Sequence, residues 1–199
     1  MNRAVFLDRD GVINAAIYNP VEGKLDSPYS LEDFRLLAGA AQAVRAISEM
    51  GFLAVVVSNQ PGIAKGKCDY SFLEAVNARL RRHLTQEAAF LDAIYYCLHH
   101  PHAQVKALRA ECDCRKPKPG LLRRAAQDLG IDLARSYMVG DSPTDVQAGL
   151  AAGCRTILID GERRPQPADS AATPHHTASD LLAAVEAIKR EGGIVWRSS

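Results

Sequence analysis

Asp8 and Asp10 stand one residue apart at the end of the apolar run Ala4-Val5-Phe6-Leu7, with Gly11 directly behind them. Side chains at i and i+2 of a strand share a face, so both carboxylates can address one site, although the turn begun by Gly11 can swing the second away. Two carboxylates this close repel unless a proton or a cation intervenes, and hard oxygen ligands suit Mg²⁺. In isolation such a pair is more often a helix cap or a turn than a catalytic device. Three further segments, in order along the chain, weigh against that bland reading.

The run Phe52 to Val57 ends in Ser58-Asn59-Gln60. An apolar, β-branched stretch after Gly51 reads as a second buried strand, which delivers a hydroxyl and an amide to the same sheet edge, where the hydroxyl could donate to a phosphoryl oxygen. Arg115-Lys116-Pro117-Lys118-Pro119-Gly120 leads into a helical stretch from Leu121 to Leu129, with Gly130 as its stop. A guanidinium and an ammonium before a proline-fixed turn suit an anion: the first grips phosphate in a fork, the second acts as a mobile point charge. Finally, Gly140-Asp141-Ser142-Pro143-Thr144-Asp145 follows the strand-like Tyr137-Met138-Val139. A cap at Ser142 or Asp141, with Pro143 in the first helical turn, explains part of this segment. It leaves two aspartates four residues apart at a third strand end, which with Asp8 and Asp10 complete an acidic cluster able to load a metal.

In this order and spacing the four segments resemble the haloacid dehalogenase superfamily of aspartate-nucleophile phosphatases, from about Val5 to Gly153. The resemblance implies that Asp8 is the nucleophile, Asp10 the general acid and base, and Ser58 and Lys116 the phosphoryl holders. Asp8, Asp10 and Asp141 would surround Mg²⁺, with Asp145 as a further acidic support and Asn59 facing the substrate. A carboxylate attacking phosphorus in line forms an aspartyl phosphate and divides one difficult displacement into two, while positioning and positive charge stabilise the loose transition state. Asp10 must be protonated to protect the leaving alkoxide and then ionised to activate water, help typically worth ~10²–10⁴-fold.

A second constellation comprises Cys97-Leu98-His99, at the end of the strand-like Ala93 to Tyr96, and Cys112-Asp113-Cys114 just ahead of Arg115. Three thiolates and one imidazole make the ligand set of a closed tetrahedral structural zinc site, although one-residue gaps are tighter than the usual spacing. His100 and His102 rival His99 as the fourth ligand. A disulfide framework is disfavoured, because five cysteines leave one over and the chain opens without a secretory pattern, which points to a reducing, cytoplasmic setting. Cys154 reads as a small core residue and Cys68 has no ligand partner nearby in sequence.

The zinc pattern running into Cys114 to Gly120 looks like the branch that holds heptose 1,7-bisphosphate phosphatases and histidinol-phosphate phosphatases. The twelve residues between His99 and Cys112, and the stretch Ser58 to Gly66, are more similar to the heptose enzymes. That resemblance implies an Mg²⁺-dependent phosphoric monoester hydrolase of carbohydrate metabolism, acting on D-glycero-D-manno-heptose 1,7-bisphosphate in lipopolysaccharide core synthesis, with Arg115 recognising the substrate beside the zinc loop. Histidinol phosphate and a nucleic-acid end are the rival substrates. A non-catalytic, zinc-stapled binding module is the rival class, disfavoured because every expected catalytic position holds the expected residue type.

One departure from the family's pattern lies between Asn14 and the helix starting near Gly39, where Ala15 to Phe34 looks longer than the usual loop. It should flank the site and so bears on which sugar or anomer is taken. Tyr18, Lys24 and Tyr29 are candidate contacts there, against a background of solvated loop residues. Only about 28 residues separate Asp10 from Gly39, too few for a cap domain, which implies an open site roofed by loops.

Strand-like runs near 4–7, 52–58, 93–97, 136–139 and 155–159 alternate with helical stretches near 39–50, 70–89, 120–129, 143–152 and 178–190. That alternation predicts an α/β fold, a Rossmann-like three-layer sandwich around a parallel sheet. The 199 residues are expected to form a single domain, with a zinc loop at about 97–114, a flexible loop at about 161–177 and a frayed end at Ser198-Ser199. A net charge of +1 gives no broad attraction to nucleic acid or anionic membrane. No apolar run nears the ~20 residues a bilayer requires. With 6% aromatic residues, and Trp196 alone near the end, a stacking groove for single strands is disfavoured. A monomer acting on a small phosphorylated sugar is expected.

Overall fold

The computed structural model describes residues 1–20, 22–160 and 172–191. In chain order the strands are β1 (Ala4–Leu7), β2 (Ile17–Asn19), β3 (Lys24–Asp26), β4 (Leu53–Asn59), β5 (Ala93–Cys97), β6 (Tyr137–Gly140), β7 (Arg155–Ile159) and β8 (His176–Ala178). The helices are α1 (Ala40–Glu49), α2 (Tyr70–Gln86), α3 (Gly120–Leu129), α4 (Pro143–Ala152) and α5 (Leu181–Glu191).

Six strands form one parallel sheet in the order β5-β4-β1-β6-β7-β8. The alternation along β1 divides the core into two layers. Val5 and Leu7 join Val56, Val139 and Ile157 on the face covered by α1, α2 and α5 through Val44, Leu80 and Val185. Ala4 and Phe6 join Val55, Val57 and Met138 beneath α3 and α4, against Leu122 and Ala148. A strand buried on both faces needs an unbroken apolar run, which is why Ala4 to Leu7 shows no polar alternation. The three-layer sandwich is therefore present, and the five strands and five helices read from the sequence occur within a few residues of their expected places.

The sheet has one strand more than expected. His176–Ala178, at the junction of the expected loop and the expected last helix, pairs with Ile157–Ile159 as the edge strand β8. Three residues of mixed polarity carry too little pattern to be read as strand. Residues 161–171 of that expected loop lie outside the described residues, as do Trp196, Ser198 and Ser199.

β2 and β3 pair as an antiparallel hairpin within the segment 15–34, so a two-stranded ribbon occupies the gap between β1 and α1 where a cap domain could stand. A smaller core of Ile63, Ala64, Ala103 and Leu108 joins the turn after β4 to the loop after β5. There the N–H groups of Gln104 and Val105 both donate to Ala64 O, at 2.8 and 3.1 Å. No helix among the described residues is long and apolar enough to cross a membrane.

Candidate active site and a cysteine–histidine cluster

β4, β1 and β6 are neighbours that run in one direction, so Ser58, Asp8 and Asp141 emerge at a single edge of the sheet, where open α/β folds bind ligands. Lys116 reaches them from the loop before α3. Its ammonium lies 3.0 Å from Asp8 Oδ1 and 2.6 Å from Asp145 Oδ1, and it donates to Val57 O at 2.9 Å. Burial pulls this lysine toward neutrality, but Asp145 and Asp8 more than offset it and hold its pKa above the ordinary lysine range.

The backbone of Lys116 is clasped as well. Asn59 Nδ2 donates to Lys116 O at 3.0 Å, and Lys116 N donates to Asn59 Oδ1 at 3.1 Å. Both ends of the amide are engaged, so Asn59 aims Lys116, whereas the sequence reading had it face the substrate. Asp8 stands between opposing influences: burial raises its pKa, and Asp145 and Asp10 add to that. Lys116 and a hydrogen bond with Ser58 pull it down, and the net shift is upward.

Asp145 is fully buried and divides its two oxygens between two roles. Ser142 N and Ser142 Oγ donate to Oδ2 at 3.1 and 2.7 Å, forming a capping box at the start of α4, while Oδ1 takes the Lys116 ion pair. The capping reading of this segment therefore holds, and the same aspartate also meets Lys116. A side chain at Gly140 is excluded, since its Cβ would fall 2.2 Å from Asp145 Cβ. One carboxylate oxygen from each of Asp8, Asp141 and Asp145 lies within 4.8 Å of the others. Three acids against one ammonium leave negative charge in excess on hard oxygen ligands, a donor set that fits Mg²⁺.

Asp10 is not in that group. The turn at Gly11, with φ of 85°, directs its carboxylate to Arg9, whose Nε and Nη2 donate to Oδ1 and Oδ2 at 3.2 and 3.1 Å. Asn14 Nδ2 donates to Oδ1 at 2.8 Å; Ser27 Oγ and Gln60 Nε2 donate to Oδ2 at 2.8 and 2.6 Å. Burial alone would raise the Asp10 pKa, but the Arg9 charge and these hydrogen bonds outweigh it and lower it. Arg9, 1% exposed, also donates to Gln60 Oε1 at 2.9 Å and to Tyr96 Oη at 3.3 Å, and Tyr96 in turn donates to Asn77 Oδ1 at 2.6 Å. The sequence reading set Asp10 among the Mg²⁺ ligands and missed Arg9, Asn14, Ser27 and Gln60. The available hint was an arginine placed between two aspartates at the end of a buried strand.

Cys97, His99, Cys112 and Cys114 converge. Their sulfurs are 3.5 Å (Cys97 to Cys112), 3.3 Å (Cys97 to Cys114) and 3.2 Å (Cys112 to Cys114) apart, and Cys114 Sγ is 3.4 Å from His99 Nδ1. Ligand atoms about 2.0–2.3 Å from a Zn²⁺ at the centre of a tetrahedron would be roughly 3.5 Å apart, close to these separations. Burial and then hydrogen bonding with Cys114 and Cys112 push the Cys97 thiol up, so three thiolates here need a cation, and the donor set fits zinc. His99 is the histidine that joins them. Its rivals meet each other: His102 N donates to His100 Nδ1 at 3.1 Å, with ring centres 5.9 Å apart.

Arg115, next to Cys114, donates through Nη1 to His99 O at 3.3 Å. Of the candidate contacts in the segment 15–34, Tyr18 is 61% exposed, Tyr29 Oη is turned to Asp26 Oδ1 at 2.8 Å, and the Lys24 side chain lies outside the described residues.

Residues 113–184 match the HAD-hydrolase-like family. Over 190 residues the chain is 38% identical to the D-glycero-β-D-manno-heptose-1,7-bisphosphate 7-phosphatase of Escherichia coli K12, with 94% of each chain covered. The enzyme of that name from Vibrio cholerae is 40% identical over 158 residues, covering 78% of this chain and 80% of that one. A solved D,D-heptose 1,7-bisphosphate phosphatase from B. bronchiseptica, complexed with magnesium and phosphate, is 31% identical, with a TM-score of 0.76 over 95% of this chain and 99% of that one.

Proposed function

The chain belongs to the HAD-like hydrolase family, and from that premise we propose that it is an Mg²⁺-dependent phosphatase that cleaves one phosphate monoester of D-glycero-D-manno-heptose 1,7-bisphosphate through an aspartyl phosphate on Asp8. The observation that carries this reading is Lys116 held between Asp8 and Asp145 with Ser58 against Asp8. A half-buried carboxylate nucleophile there has an ammonium and a hydroxyl beside it, placed for the oxygens of a bound phosphoryl group. The substrate class is supported by the relatives' names and by the long loop between His99 and Cys112.

In the first step an Asp8 oxygen attacks phosphorus, while Ser58 and Lys116 donate to the phosphoryl oxygens, orienting the group and taking up its charge. The bond to the sugar oxygen breaks, and that oxygen takes a proton from Asp10, which must first turn out of its contact with Arg9. Asp10, now ionised, accepts a proton from the water that attacks the phosphorus, so that inorganic phosphate leaves and Asp8 is regenerated. Asp8, Asp141 and Asp145 would hold Mg²⁺, which would supply Lewis-acid charge there. Cys97, His99, Cys112 and Cys114 would hold a structural Zn²⁺, which would fix the loop ending at Arg115 and Lys116. Arg115 grips a part of the sugar remote from the scissile phosphate. The thiol set belongs in a reducing cytoplasm, and the whole chain acts as one domain.

The deciding experiment measures phosphate release with Mg²⁺ from heptose 1,7-bisphosphate, histidinol phosphate and an aryl phosphate, together with mapping of labelled phosphate on the chain. Fastest release from the heptose bisphosphate and label on Asp8 are expected. Histidinol phosphate outrunning every sugar bisphosphate would overturn the substrate, and label on another residue would overturn the nucleophile.

A further inference from the structure

The β2–β3 hairpin lies outside the main sheet and the cysteine cluster, yet it delivers a hydroxyl to the site. Of the residues that donate to the Asp10 carboxylate, Arg9, Asn14 and Gln60 are at most 6% exposed and sit in the turn after β1 or at the end of β4. The remaining donor, Ser27, follows directly on β3. Its Oγ is 2.8 Å from Asp10 Oδ2 and 3.4 Å from Gln60 Oε1. A hydroxyl has one proton, and the shorter contact commits it to the carboxylate.

Ser27 is held in place by its neighbour. Asp26 Oδ1 accepts from Ser27 N at 2.9 Å and from Tyr29 Oη at 2.8 Å, while Oδ2 accepts from Lys67 Nζ at 2.7 Å. Lys67 also pairs with Glu22 of the hairpin and sits 5.1 Å from the Tyr29 ring centre. Lys65 pairs with Glu22 at 3.6 Å. The Tyr29 ring packs on Gly62, where an added Cβ would come within 2.8 Å of it. Two lysines of the turn after β4 thus strap the hairpin down, and the end of the strap rests on Asp10.

We propose that Ser27 is a positioning residue for Asp10 and that Lys67, through Asp26, delivers it, so the hairpin governs the acid–base step as well as shaping the mouth for the sugar. The role rests on the reading of Asp10 as the acid and base.

Ser27→Ala is expected to lower kcat about tenfold with KM within about twofold, the size of one lost hydrogen bond to a charged group. Ser27→Thr, which keeps the hydroxyl, should recover most of that loss. Lys67→Met should lower kcat about threefold by itself and add nothing on the Ser27→Ala background, because residues acting through one contact are not additive. A readout free of turnover is amide hydrogen exchange over residues 17–26, which should quicken severalfold in both Ser27→Ala and Asp10→Ala, since the anchoring is reciprocal. Additive kcat losses, or a KM rise in Lys67→Met with kcat unchanged, would overturn the delivery role and make Lys67 a substrate contact. Unchanged hairpin exchange in Asp10→Ala would overturn the anchor itself. A wild-type protein inactive on every phosphate ester would instead overturn the catalytic reading beneath this proposal, and the exchange measurement tells the two failures apart.

Discussion

Around Asp8 the charges are unbalanced: Asp8, Asp141 and Asp145 share one ammonium, that of Lys116, and burial together with Asp145 raises the Asp8 pKa. Around Asp10 the balance is reversed, with a guanidinium, two amides and a hydroxyl converging on one carboxylate, and its pKa falls. The two residues stand at one strand end, and the difference comes from what each carboxylate faces: Asp10 meets Arg9 and Asn14 of the turn after β1, Gln60 beyond β4 and Ser27 of the hairpin, whereas Asp8 meets Lys116 from the loop before α3. A carboxylate among others with too little positive charge is disposed to take a cation or attack an electrophile. One that is saturated stays in place until a donor is displaced.

Removing the charge of Asp8 breaks this contrast most severely. Asp8→Asn is expected to lower turnover by ~10⁴-fold or more, because a neutral amide cannot form the acyl phosphate, while thermal unfolding remains cooperative. Assay of kcat beside a melting curve checks both halves. Lys116→Met takes away the cation shared by Asp8 and Asp145 and leaves the buried Asp145 uncompensated beside the half-buried Asp8, a loss of about 3 kcal/mol measurable by urea unfolding.

The opposite shifts also predict opposite pH dependences. The raised Asp8 carboxyl contributes stability that is present below the ordinary carboxylate range and is lost as pH rises through its folded value. The depressed Asp10 carboxyl contributes stability that is present above that range and is lost as pH falls through its folded value. Mg²⁺ requires ionised ligands, so its gain in Tm should grow as pH rises through the Asp8 titration and should vanish in Asp8→Asn. A gain in wild type that does not vary with pH would count against the assignment of Asp8 as a ligand. The smallest expected effect sharpens the contrast by touching one side alone. Cys112→Ala should release about one zinc per chain, seen by metal analysis, and lower kcat severalfold through the loop that carries Lys116, leaving exchange over residues 17–26 unchanged.

The strand ends were legible because Ala4 to Leu7, Phe52 to Val57 and Tyr137 to Val139 are apolar runs that stop at polar residues, the pattern a buried parallel strand imposes. The cysteines were legible because a Cys₃His set has few other uses. Side-chain direction was not legible. The strand period places Asp8 and Asp10 on one face, and only the turn at Gly11 and the arginine beside it decide otherwise. Asn59 read as a substrate contact because sequence shows a strand-end amide but not the peptide of Lys116, 57 positions away, that it clasps. The hairpin escaped notice because Ile17–Asn19 and Lys24–Asp26 are too short to show alternation, and its anchoring by Lys67 is a tertiary fact.

β8 closes one edge of the sheet with only three residues, beside a β7 strand whose Thr156, Ile157, Leu158 and Ile159 are buried. Short edge strands present little unpaired backbone to another molecule, whereas a longer apolar edge is a template for self-association. Glu191, at the end of α5, secures this border by accepting from Tyr137 Oη and Arg155 Nη2, each at 2.9 Å. A chain shortened to end at Asp160 would lose both β8 and α5 and leave β7 as a bare margin. Such a truncation keeps every residue assigned to chemistry, yet it is expected to precipitate, because colloidal behaviour here is guarded by a part of the molecule that takes no part in the reaction.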